Sequence, residues 1–171
     1  MAADPPAEVQ EVLAVFETAC LDNLRRPAET TKIMVGIGST ALAPKAANEL
    51  LAPQTGQAWV LQSTVSSGDN AIVTLSDKGT CSVSAGHVDG NAVAQLLEDN
   101  FRHSKLRHDT GDGRVSRVYA LTHDDKNVDG DTHALIIANQ GGATGAAGII
   151  LSAVPKKLLV ESGTTIPAWP K

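Results

Sequence analysis

Two cysteines, Cys20 and Cys81, each fall in phase with an apolar face, one helical and one extended. Cys20 closes the series Val9, Val12, Leu13, Phe16, Cys20, spaced as one side of a helix. Cys81 alternates with Val83 and Ala85 in Thr80-Cys81-Ser82-Val83-Ser84-Ala85, so these three side chains share one face of a strand. A fold that buries both faces can bring the two sulfurs together where the helix meets the sheet. A disulfide is the expected outcome, set against two inert buried thiols or one reactive thiol.

Composition narrows the rest. The chain has 171 residues, 42% hydrophobic and 19% charged, values of a globular domain able to bury its own core. One domain over residues 1–171 is expected, with residues 1–6 an exposed leader and 156–171 a loosely docked tail. Aromatics are only 3%, so Val, Ile, Leu and Ala build the core, and the stacking platforms of single-strand nucleic-acid binders are missing. The net charge is -5 with no long Lys/Arg cluster, which disfavours nucleic acid and anionic membrane and favours a basic protein partner. No stretch approaches the ~20 apolar residues of a membrane span. Met1-Ala2-Ala3-Asp4-Pro5-Pro6 reads as a start methionine on a chain whose signal peptide has been removed, set against a cytosolic protein with a short frayed start. Together with a disulfide, that start points to the periplasm or outside the cell.

Along the chain, a helix is expected from about Pro6 to Leu24, then shorter ones over Ala28–Val35 and Lys45–Leu51. From Gly56 the period becomes alternating. Gln57–Val65, Ala71–Ser76 and the Cys81 strand form a meander, turning at Ser76-Asp77-Lys78-Gly79. Asp89 or Gly90 caps a further helix carrying Val93, Leu96, Leu97 and Phe101 on one face, with Arg102, His103 and Lys105 at its C-terminal end. After a polar loop, His108–Gly113, come strands over Arg114–His123, Asp131–Gln140 and Ala146–Pro155. Short links within each trio mean antiparallel pairing. The expected fold is α+β: one twisted antiparallel sheet of about six strands, ordered three strands, helix, three strands, with N-terminal helices on one face.

Three stretches occur in order: Phe16-Glu17-Thr18-Ala19-Cys20, Gly56-Gln57-Ala58-Trp59, and Asp77-Lys78-Gly79-Thr80-Cys81-Ser82-Val83. Over about residues 9–155 the chain resembles a family of small, exported, uncharacterised Gram-negative envelope proteins with a helix cysteine and a D-x-G-x-C hairpin. The resemblance implies a signal peptide and a paired cysteine. It implies no catalytic residues.

The motifs that carry chemistry have plainer readings beside them. Asp125-Lys126-Asn127-Val128-Asp129-Gly130 follows a calcium-loop pattern, but its twelfth position is Ile136 where a bidentate glutamate is needed. A hairpin loop is the expected reading, and no metal is assigned. Cys81, His87 and Asp89 offer nucleophile, base and orienting acid, yet Cys81 is in a strand and Asp89 suits a helix cap. Gly36-Ile37-Gly38-Ser39 follows a helix and reads as a turn, not a phosphate loop. Gly141–Gly148 reads as a hairpin or bulge. His103 and His108 are expected to flank a helix end, and His123 and His133 a hairpin, without metal-ligand spacing.

The expected function is that of a non-catalytic periplasmic or secreted binding module, inhibitor-like, immunity-like or an envelope accessory, needing no cofactor. Recognition is expected through acidic loops, Asp124, Asp125, Asp129 and Asp131 in one and Asp109 and Asp112 in another. The alternatives are a hydrolase assembled from His108, Asp109, Asp112 and the Gly141–Gly145 turn, or a structural part of a secretion or conjugation assembly.

Overall fold

The computed structural model describes residues 4–24, 26–65, 69–86, 88–111, 114–122, 134–140, 148–155 and 158. Helix α1 (Ala7–Ala19) begins after Pro6 and buries Val9, Val12, Leu13, Phe16 and Ala19, the stripe that its sequence spacing predicts. It ends sooner than expected. Cys20 is its C-cap, and Leu21–Asn23 continue as a single 3-10 turn. Two side chains close that end: Thr30 Oγ1 donates to the Ala19 carbonyl and Asn23 Nδ2 to the Thr18 carbonyl, both at 2.7 Å. These contacts satisfy acceptors that a helix C-terminus leaves open.

Helices α2 (Pro27–Gly36) and α3 (Pro44–Leu51) each carry proline at their first position, where the missing N–H costs nothing. Eight strands follow the order β1-β2-β3-β4-β8-β7-β6-β5, antiparallel throughout. They are β1 (Thr40–Ala41), β2 (Gly56–Gln62), β3 (Asn70–Ser76), β4 (Cys81–Ala85), β5 (Arg102–Gly111), β6 (Arg114–Thr122), β7 (Ala134–Gln140) and β8 (Ile149–Pro155). After β4, helix α4 (Gly90–Asn100) carries the chain from the middle of the sheet to its far edge. Strands β5, β6, β7 and β8 then return as a meander, and β8 pairs with β4.

The fold is α+β, with two strands beyond the expected six. One is the two-residue β1. The other is β5, where the sequence reading placed a helix end and a polar loop. Phe101 is already extended, and Arg102, His103 and Lys105 stand on a strand. Both additions lie at the sheet's edges, where very short or charged strands blunt edge-to-edge pairing.

The core lies between α1, α4 and the inner face of the sheet. Trp59, Val73, Val83 and Leu151 form one inner row by register, all at most 2% exposed. Leu75, Cys81 and Ala153 form the next row, which reaches Ile136 and then Tyr119. Cys20 and Cys81 are disulfide-bonded with Cα atoms 5.3 Å apart. The bridge joins the last turn of α1 to the first residue of β4 inside the buried cluster. At the other end of the inner face, Tyr119 Oη donates to Glu98 Oε1 of α4 at 2.7 Å. Burial foremost, then the Glu98 carboxylate, holds this phenol well above its ordinary pKa.

Candidate functional site

Strand alternation sends a second set of side chains to the opposite, outer face. Ile72, Ser84 and Ile150 form one row there by register, and Thr74, Ser82 and Ser152 the next. Ser82 Oγ and Ser152 Oγ lie 2.8 Å apart and share a hydrogen bond. Helix α3 packs on this face over β2 and β3, where Ala47 and Ala58 are buried; among the described residues no helix covers the β4–β8 side. The third N-terminal helix is thus not on the same face as α1 and α4.

Between α3 and the open strands runs a groove of about 330 Å³. Its walls include Leu50 and Leu51 of α3 and Ile72 and Ile150 of the sheet, with Thr74 and Ser84 hydroxyls between them. None of its lining residues among the described ones is ionisable. Next in sequence to the lining residues Gln54 and Ser76, two contacts tie Thr55 to Asp77: Thr55 Oγ1 donates to Asp77 Oδ2 at 2.5 Å, and Asp77 N donates to the Thr55 carbonyl at 2.9 Å. Gly56 permits this close approach. A side-chain carbon there would stand 2.1 Å from the Leu75 carbonyl oxygen and 2.9 Å from Leu51 Cδ1. Gln54 also lines the groove, and its buried Oε1 meets no hydrogen-bond donor among the described residues.

The structure places the residues singled out in the sequence as follows. Cys81 is locked in the disulfide and has no thiol to act as a nucleophile. Asp89 caps α4, accepting from Asn91 N at 2.8 Å and Ala92 N at 3.4 Å. His87 lies outside the described residues. Gly36-Ile37-Gly38-Ser39 closes the C-terminus of α2. Gly38 has φ +76, its N–H donates to the Val35 carbonyl, and Ser39 Oγ donates to the Met34 carbonyl. A helix C-terminus offers carbonyls, the wrong polarity for phosphate.

Asp109 is on strand β5 opposite Ser116, and His108 is opposite Arg117, so neither belongs to the loop expected from sequence. His103 is on the same strand, opposite Leu121, not at a helix end. Asp112, Asp124, Asp125, Asp129, Asp131, His123, His133 and the Gly141–Gly145 turn lie outside the described residues. Strands β6 and β7 flank the calcium-like pattern, and Ile136 is paired within β7.

Sequence reasoning missed the groove. The available signal was a strand apolar in both phases: Ile72 beside Val73 in β3, and Ile150 between Ile149 and Leu151 in β8. A strand with one face in water alternates, whereas these present aliphatic side chains to both sides. No protein-family description, curated protein or solved structure matches this chain.

Proposed function

We propose that the protein is a non-catalytic binding module of the periplasm or the cell exterior, recognising another protein through the outer face of its sheet. The observation that carries this reading is the groove between α3 and β3, β4 and β8, which no ionisable side chain lines among the described residues. Along β2, β3, β4 and β8 the inner face is buried in the core, while Ile150 stays 45% exposed on the opposite side. The Cys20–Cys81 bridge supports an oxidising compartment, as does the resemblance to exported envelope proteins. The acidic residues singled out in the sequence, Asp124, Asp125, Asp129 and Asp131 among them, would then act at longer range by steering a basic partner.

The test is partner capture from a periplasmic extract by the full chain and by Ile150→Asp. An aspartate on an uncharged face must be desolvated on contact, so capture should fall sharply while the circular dichroism stays unchanged. A partner held equally well by both chains would move recognition away from the groove.

A further inference from the structure

Strand β5 ends the sheet and pairs only with β6 among the described strands. It runs for ten residues, whereas β1 at the opposite edge has two. Its outer side is therefore a row of backbone donors and acceptors that no described strand meets.

Charge is unevenly shared along the chain. The net charge is -5, yet β5 carries Arg102, Lys105 and Arg107 against Asp109 alone. Beside it, β6 adds Arg114, opposite Gly111, and Arg117, with no acidic residue. Arg117 is already engaged, its Nη2 donating to Asn91 Oδ1 at 2.9 Å, so the charge of the edge rests on β5 and Arg114. The register shifts between Lys105 and Arg107. An irregularity of this kind bends a strand and divides its edge, here into 102–105 and 107–111.

A bulge and a run of cations are how an edge refuses flat, apolar strands. They refuse a second copy as well, because antiparallel pairing of two β5 strands would set cation against cation. An extended segment of opposite charge meets the reverse condition: cross-strand pairs of unlike charge stabilise, and the ladder satisfies the open backbone groups. We propose that the outer edge of β5 is a docking site for an acidic, extended segment of a partner protein, which adds to the sheet as one further strand. Main-chain hydrogen bonds hold such a segment, and the cations of β5 select it. Strands β7 and β6 separate this edge from β8, so the site is distinct from the outer-face groove and does not depend on what the groove binds.

The probe is a short, end-blocked peptide of alternating glutamate and valine, added to the full chain and followed by amide hydrogen exchange. In the free chain the outer-side amides of β5 should exchange much faster than those bonded to β6, and the peptide should slow them. A lysine–valine peptide of equal length should not bind. Nor should the glutamate–valine peptide N-methylated along one edge, which keeps its charge and loses the donors of a ladder. Arg102→Glu/Lys105→Glu/Arg107→Glu should weaken binding by about tenfold, a few-fold for each exposed ion pair, and turn the preference to the lysine peptide. Where that variant folds poorly, the comparison of peptides on the unmodified chain decides alone. Outer-side amides already protected in the free chain overturn the proposal, as does a glutamate–valine peptide that fails to bind. Equal binding of the N-methylated peptide means attraction without strand addition and overturns it too. Ile150→Asp should bind the probe as the unmodified chain does; loss of binding there would put the peptide in the groove instead.

Discussion

Cutting the Cys20–Cys81 bridge isolates its contribution to the fold. The two residues are 61 apart in sequence, so cross-linking removes about 14 cal/mol/K of loop-closure entropy from the unfolded chain, or about 4 kcal/mol at 25 °C. Both cysteines are also buried, at 1% and 2% exposed. In Cys20→Ala/Cys81→Ala each lost sulfur adds about 1 kcal/mol for the volume vacated. Reduced wild type keeps the sulfurs and loses only the cross-link, so the two perturbations should differ by about 2 kcal/mol. Urea unfolding of oxidised, reduced and double-alanine chains measures all three, and the slope with urea should rise in both uncrosslinked forms as their denatured states expand. The cross-link alone should be worth about 8–16 °C in Tm for a chain of this length. Thiol counting on the denatured, non-reduced protein must find none. Two free thiols would refute the bridge, and a loss below about 1 kcal/mol on reduction would refute the denatured-state account of its effect.

Four further outcomes are expected. Thr30→Val keeps the side chain's shape but leaves the Ala19 carbonyl without its 2.7 Å donor, costing about 1–3 kcal/mol in urea unfolding; Thr30→Ser should recover most of it. Tyr119 is the only tyrosine, so phenolate absorbance reports it alone. Its pKa is raised in the folded state, so its contribution to stability is complete below the ordinary phenol value of about 10 and is lost as pH rises beyond it. Phenolate should therefore appear only as the far-ultraviolet circular dichroism collapses, and a folded protein titrating near the ordinary value would contradict this. Calcium titration should give no saturable heat in the micromolar range, because Ile136 stands where the closing glutamate is required; a stoichiometric site abolished by Asp125→Ala would reverse that reading. Charge reversal at Asp125 and Asp129 should slow association with a captured basic partner and flatten its salt dependence, leaving Tm nearly unchanged.

What the sequence disclosed follows from periodicity. The helix stripe ending in Cys20 and the alternation around Cys81 are one-sided patterns, and one-sided burial is what they report. Both therefore pointed inward, and the bridge followed. β5 stayed hidden because Arg102–Gly111 is an edge strand whose charged residues resist foreign pairing. Such a strand lacks the alternation by which strands are found. Arg102, His103 and Lys105 looked like favourable charges at a helix end because the dipole argument sees only local sequence. The groove escaped for a related reason. Leu50, Ile72 and Ile150 come from three separate elements, and only strand register and the placement of α3 bring them to one face.

The topology itself explains why, among the described residues, no helix crosses the β4–β8 side of the outer face. The connection that includes α4 must carry the chain from β4 in the middle of the sheet to β5 at its edge, and α4 takes part in that crossing on the inner side with α1. The return from β5 through β8 is a meander, with no helix among the described residues between those strands. No crossover of that kind is required on the outer face, and α3 reaches only its β2–β3 side. A sheet face that is neither core nor charged is tolerated when small hydroxyl side chains separate the aliphatic ones, as Ser84 does between Ile72 and Ile150. That spacing keeps the face from forming a continuous apolar patch, yet still presents enough hydrocarbon for an occupant that fits. The disulfide fixes α1 to β4 behind the same strands, so the groove is presented on a braced support, and binding there need not order the sheet first.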